Sequence, residues 1–174
     1  MKLSNFSGKT IAIMVASGFD ETAFIAIQRA MMTAGAKLKV VSREAGLTSA
    51  WNGTGWGMSY PADATLSTTL AIDFDALIVP SGSRHVESLR AEAHAKRVLR
   101  AFLREEMPVL LQGEAINLID LVDDDADLPR VSDVNKLLVV DRNLVTIKAP
   151  SEELDELQAL NDLMNDDEGT SFAA

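Results

Sequence analysis

Asp20, Glu21, Ser83, His85 and Glu114 have side chains that suit acid–base or nucleophilic chemistry, and each follows closely on a short apolar run. A carboxylate beside a histidine can do general acid–base work on a small carbonyl compound. The plainer reading is that Glu114 sits favourably at a helix N-terminus and the others are solvated. Ser83 and His85 are only two positions apart, too close in sequence for a nucleophile–base pair. Cysteine is absent, which excludes a thiolate nucleophile, a thiolate metal site and a disulfide framework. His85 and His94 form no helical metal-binding pattern with carboxylates, so no metal is expected. Gly8-Lys9-Thr10 matches the end of a phosphate-binding loop, but Leu3 stands where that loop needs glycine, and a strand follows instead of a helix. Gly53-Thr54-Gly55-Trp56-Gly57 is glycine-rich but opens no helix. No cofactor is expected. A third use of the same residues is recognition without turnover, with Gln112, Glu114 and the Gly82 backbone holding a small polar ligand between Trp51 and Trp56.

The elements that must position these residues alternate between strand and helix. Thr10 to Ala16 is a short apolar run, as in a strand buried on both faces. A helix follows Ser17-Gly18-Phe19-Asp20, with Phe24, Ile27, Met31 and Ala34 at helical spacing and Gly35 placed to end it in a left-handed cap. Lys37 to Ser42 is the second strand, and Gly46 to Leu70 reads as loop with short strand pieces. Asp75 to Pro80 is the third strand. Val86 to Glu106 reads as one long amphipathic helix. Val109 to Gln112 is the fourth strand, with a helix from Glu114. Leu137 to Val140 and Leu144 to Ile147 pair through Asp141-Arg142-Asn143. A last helix is expected over Glu152 to Met164 with Ser151 as N-cap. The pattern predicts a flavodoxin-like three-layer α/β/α sandwich with a mostly parallel sheet. Sites in such sheets lie at the carboxyl ends of the strands, which selects the loops at Ser17–Glu21, Ser81–His85 and Gln112–Glu114. One domain is expected over residues 9–165, after an extension at 1–8 and before a flexible acidic tail at 166–174.

The chain has 174 residues, enough for one domain with a real core. Its formal net charge of −10 argues against nucleic acid and anionic membranes as partners. No apolar run reaches the length of a membrane span, and no export signal opens the chain, so a cytoplasmic location is expected.

Three segments together resemble the ThiJ/PfpI superfamily, a class I glutamine amidotransferase-like group. They are Gly18-Phe19-Asp20-Glu21, Phe74-Asp75-Ala76-Leu77-Ile78-Val79-Pro80-Ser81-Gly82 and Val139-Val140-Asp141-Arg142-Asn143-Leu144-Val145-Thr146. The second compares with a family strand ending Pro-Gly-Gly. The resemblance implies a catalytic cysteine at a sharp strand-to-helix turn, aligned here with Gly113, and a supporting glutamate, aligned with Ala23. Glu114 aligns with the residue after the cysteine. The resemblance therefore implies a pseudoenzyme with a degenerate site at Ala23, Gly113 and Glu114. Backbone N–H groups near Gly82 and Glu114 are the remaining oxyanion donors.

Gln112-Gly113-Glu114-Ala115-Ile116-Asn117-Leu118-Ile119 is similar to the C-terminal domain of large-subunit catalases, here free-standing. This implies an interaction, assembly or stress-related chaperone-like module, a homodimer by family habit, with a protein partner linked to oxidative stress. The alternatives are a cysteine-independent hydrolase or glyoxalase-type enzyme, or a small-molecule binding protein, using the edge formed by Asp20, Glu21, His85 and Glu114.

Overall fold

The computed structural model describes residues 3–173, with side chains through residue 164. In chain order the elements are β1 (Thr10–Val15), β2 (Phe19–Asp20), α1 (Glu21–Ala34), β3 (Lys37–Ser42), β4 (Leu47–Trp51), β5 (Trp56–Pro61), β6 (Ala64–Thr65) and β7 (Ala76–Val79). Then come α2 (Ser83–Arg90), α3 (Ala93–Arg104), β8 (Val109–Gln112), a 3₁₀ helix over Gly113–Val122, β9 (Leu138–Asp141), β10 (Leu144–Ile147) and α4 (Asp155–Ala173). The main sheet has the order β6-β3-β1-β7-β8-β10-β9. All its pairs are parallel except β9 with β10. The five central strands thus follow the 2-1-3-4-5 order of a flavodoxin-like fold.

Alternation along β1 shows why the sheet is covered twice. Ile11, Ile13 and Val15 point into one apolar cluster with Phe24, Ile27 and Met31 of α1 and Leu157 and Leu160 of α4. Ala12, Met14 and Ala16 point into the other, with Leu89 of α2, Val98, Leu99 and Phe102 of α3, and Leu118 of the 3₁₀ helix. Every residue from Ile11 to Val15 is fully buried, as a period-2 strand between two helical layers requires. The expected three-layer sandwich is present. The segment expected as an extension is tied down: Phe6 is buried, and Asn5 donates two hydrogen bonds to Asn161 of α4.

The structure departs from expectation at five places. The Gly46–Leu70 region folds into the β4–β5 hairpin, which with β2 makes a separate three-stranded sheet. The single long helix is two, because Glu92 takes an extended backbone and its side chain accepts from the His94 N–H as N-cap of α3. The helix after β8 is 3₁₀. Ser151 does not cap the last helix: it closes a turn, its hydroxyl accepting from the Glu153 N–H, and α4 begins at Asp155 after Leu154 with φ of 57°. Helix α4 also runs on to Ala173 instead of ending near Met164; side chains of the expected acidic tail lie outside the described residues. Gly35, in contrast, ends α1 as expected, with φ of 79° and its N–H on the Met31 and Met32 carbonyls. Among the described residues no helix is long and apolar enough to cross a membrane.

His85 ties β1 to β7 where the site begins. Its Nε2–H donates to the Pro80 carbonyl at 2.7 Å, and its Nδ1 accepts from the Ala16 N–H at 3.4 Å. Those two partners fix the neutral tautomer. The ring is fully buried, and burial pushes its pKa down to about 4, against weaker upward pulls from the Pro80 carbonyl and the Glu114 charge. The unfolded chain binds this proton from about pH 6.5 downward while the folded chain refuses it until about pH 4. Folding stability is therefore expected to fall between those values as pH drops, by at most about 3 kcal/mol from this group. Urea denaturation from pH 7 to pH 4.5 measures it, and His85→Gln should flatten the dependence. An unchanged slope in that variant overturns the assignment.

Candidate functional site

Strands β1, β7, β8 and β10 run parallel, so the loops that leave them share one edge of the sheet. β1 and β7 are neighbours whose connections leave in opposite directions along the strand order, the place where such sheets open a crevice. Asp20 is fixed in that crevice as N-cap of α1. Its Oδ1 accepts from the Thr22 N–H at 3.2 Å and its Oδ2 from the Ser81 hydroxyl at 3.2 Å, while its own N–H donates to the Ser81 carbonyl at 2.9 Å. Gln112 ends β8 almost fully buried. Its Oε1 accepts from the Ser81 N–H at 3.2 Å, and its Nε2 donates to Glu156 Oε2 at 3.0 Å. Glu156 is fully buried and also accepts from the Ser151 N–H at 3.1 Å.

Gly113 follows with φ of 57°, the left-handed region in which a side chain is strained. A Cβ placed on it would lie 2.8 Å from Ser81 Cβ. The place that the resemblance gives to a nucleophile is thus closed by the Ser81 side chain, which stands where the family strand has its first glycine. Ala23 is buried in α1 and has only a methyl group to present. Glu114 is exposed, and its Oε2 accepts from the Gly82 N–H at 3.1 Å. One of the two backbone donors expected to remain for an oxyanion is therefore already engaged by a carboxylate of the chain itself.

A cavity of about 330 Å³ opens over this turn. Of the residues singled out from the sequence, Asp20, Ser83, Gly82, Gly113 and Glu114 line it, together with Trp51. Gln112 lies behind it and lines a larger groove, about 950 Å³, that follows the small residues of α1 including Ala23; Asp20 and Pro150 border both spaces. Two expected ligand-facing residues are corrected. His85 is buried with both ring nitrogens on the backbone and has no atom left for a ligand. Glu21 turns to the hairpin, where its Oε2 accepts from the Met58 N–H at 2.6 Å.

Two cations that sequence reasoning missed border the cavity, Arg84 and Lys148. The Arg84 guanidinium stacks 4.2 Å above the Trp51 ring and 5.9 Å from Trp56, and the two indoles meet edge to face at 5.4 Å. Lys148 carries a sequence signal, since it directly follows Ile147 at the carboxyl end of β10, a fourth loop at the same edge. Arg84 lies inside the Ser81–His85 loop, but nothing in its immediate sequence announces the Trp51 contact, which depends on the hairpin.

Comparison with known proteins places these features. Residues 9–160 match the model of the DJ-1/PfpI family. The chain is 29% identical over 102 residues to General stress protein 18 of Bacillus subtilis, covering 59% of this chain and 58% of that protein. It is 27% identical over 150 residues to Catalase HPII of Mycobacterium avium, covering 86% of this chain and only 20% of the catalase. The chain thus spans less than two thirds of the length of either. Among solved structures, a ThiJ/PfpI domain protein from Brachyspira murdochii superposes with a TM-score of 0.75 at 18% identity, over 92% of this chain and 98% of that one. With a family model spanning most of its length, the 2-1-3-4-5 sheet and a strand-to-helix turn at the family's place, this chain belongs to the DJ-1/PfpI family.

Proposed function

We propose that this chain is a non-catalytic member of its family, acting as a homodimeric interaction, assembly or stress-related chaperone-like module. The observation that carries this reading is at position 113, where glycine replaces the nucleophile and Ser81 fills the space its side chain would need. Glu114 on the Gly82 N–H adds support, since it takes up an oxyanion donor. The burial of His85 removes the base that a cysteine-independent hydrolase or glyoxalase-type mechanism would use, and Asp20 and Glu114 both accept internal hydrogen bonds. The names of two relatives, a general stress protein and a catalase, support a setting of oxidative stress and a protein partner there. The β4–β5 hairpin leaves Leu47, Trp56 and Met58 exposed, apolar surface of the sort that a second copy can cover.

Purified protein is expected to consume methylglyoxal no faster than buffer, with a Glu114→Gln variant as the matched control. Clear turnover that the variant lacks would refute the non-catalytic reading. Gly113→Cys alone should cost about 2–4 kcal/mol in urea denaturation, from the left-handed backbone and the clash. Ser81→Gly added to it should recover the clash part; a Gly113→Cys protein as stable as the parent means that Ser81 does not close the site. Light scattering across micromolar concentrations should give twice the mass of the chain, and a constant monomer mass removes the dimer from the proposal.

A further inference from the structure

The cavity over Gly113 contains two carboxylates and two cations, and they differ in what they already hold. Asp20 has both oxygens engaged, by the Thr22 N–H and the Ser81 hydroxyl. Glu114 Oε2 accepts from the Gly82 N–H. Arg84 and Lys148 pair with no carboxylate among the described residues. The Arg84 guanidinium carbon lies 4.2 Å over the Trp51 ring, a cation–π contact that places the charge without using its N–H donors. The cavity therefore presents two cations that no carboxylate neutralises among the described residues, although the chain as a whole carries −10.

The Glu114–Gly82 bond shows what the backbone N–H binds. Gly82 has φ of 136°, and a Cβ there would lie 2.8 Å from the Asp20 nitrogen, so its N–H is presented at a turn only glycine can form. A carboxylate already sits on that N–H at 3.1 Å, carried on an exposed side chain that is free to swing out. We propose that the cavity over Gly113 binds a small organic carboxylate, which displaces Glu114 from the Gly82 N–H and is held by Arg84 and Lys148 beside Trp51. The volume of about 330 Å³ lies at the lower end of ligand sites and is ample for a short dicarboxylate. Glu114 then acts as an internal competitor that a ligand must outbid. This inference rests on the reading that the cavity does no chemistry, and it names what occupies the site instead.

The chain's two tryptophans, Trp51 and Trp56, both interact with Arg84, so intrinsic fluorescence reports on the cavity directly. Titration of the full chain with succinate should give a saturable fluorescence change, and the neutral analogue succinamide none. By calorimetry, Arg84→Gln and Lys148→Gln should each weaken succinate at least fivefold, and Glu114→Ala should tighten it severalfold, with thermal unfolding confirming that each variant is folded. A linear response shared by succinate and succinamide overturns the proposal. So does binding that survives both cation substitutions, or a Glu114→Ala variant that binds more weakly. Preference for inorganic phosphate over succinate also overturns it, marking a general anion site. None of these readouts depends on turnover: a flat titration sinks the ligand, whereas methylglyoxal consumption sinks the non-catalytic reading.

Discussion

The carboxyl edge of the sheet is held by the side chain of Gln112, which has to serve two elements at once. Parallel strands leave their last backbone groups unpaired just where the chain turns away, and buried polar groups without partners are costly. Gln112 answers from inside: it accepts from the Ser81 N–H beyond β7 and donates to Glu156 of α4. Ser81 passes the connection to Asp20, which caps α1. One chain of hydrogen bonds thus runs from α4 through β8 and the loop after β7 to α1, joining the helices of one layer across the strand ends. Among the described residues Glu156 Oε1 is buried without a partner, a cost of about 1–3 kcal/mol that the two bonds on Oε2 must offset. A buried network of this kind is rigid when satisfied and intolerant of single substitutions.

That constraint explains how the strand-to-helix turn keeps its shape with glycine at position 113. The left-handed residue at 113 is imposed by the direct passage from β8 into a helix, whatever side chain is present. Once the residue is glycine, the space above it is open, and an extra Cβ at position 81 can fill it and bring a hydroxyl to Asp20. The substitutions at 81 and 113 are therefore two halves of one packing arrangement. Ala23 follows the same logic, because a carboxylate buried there without a thiol to bond would be an uncompensated charge. Glu114 completes it from the solvent side by meeting the Gly82 N–H.

Much of this was legible in the sequence because it depends on local pattern. Short apolar runs between helices fix the layers, and the carboxyl-end rule leads to the loops holding Asp20, Gly82 and Glu114, which do converge. What stayed hidden depends on distance. The histidine two residues past Ser83 reads as a loop base, yet α2 begins at Ser83 and its first turn carries the ring inward beneath Pro80. Glu21 faces the hairpin because β4 and β5 fold beside α1, and a segment rich in Gly, Ser and Thr has no strong periodicity to reveal that pairing. Arg84 gains its place from the same hairpin. The break at Glu92 carries no proline or glycine and is set by a side chain serving as N-cap.

Net charge is a poor guide to the cavity. A surface carrying −10 slows the approach of any anion, but at physiological salt charges more than about 8 Å away are largely screened. Inside that distance the balance is local. The acidic groups at the edge are committed to caps and backbone donors, and a carboxylate whose oxygens already accept hydrogen bonds presents a weaker field than its formal charge suggests. Arg84 and Lys148 border the cavity but are themselves exposed, so they act at contact distance and not through a buried field. The sign of a protein's surface and the sign of its site are therefore separate quantities, the first set by composition and the second by which side chains the fold has already used.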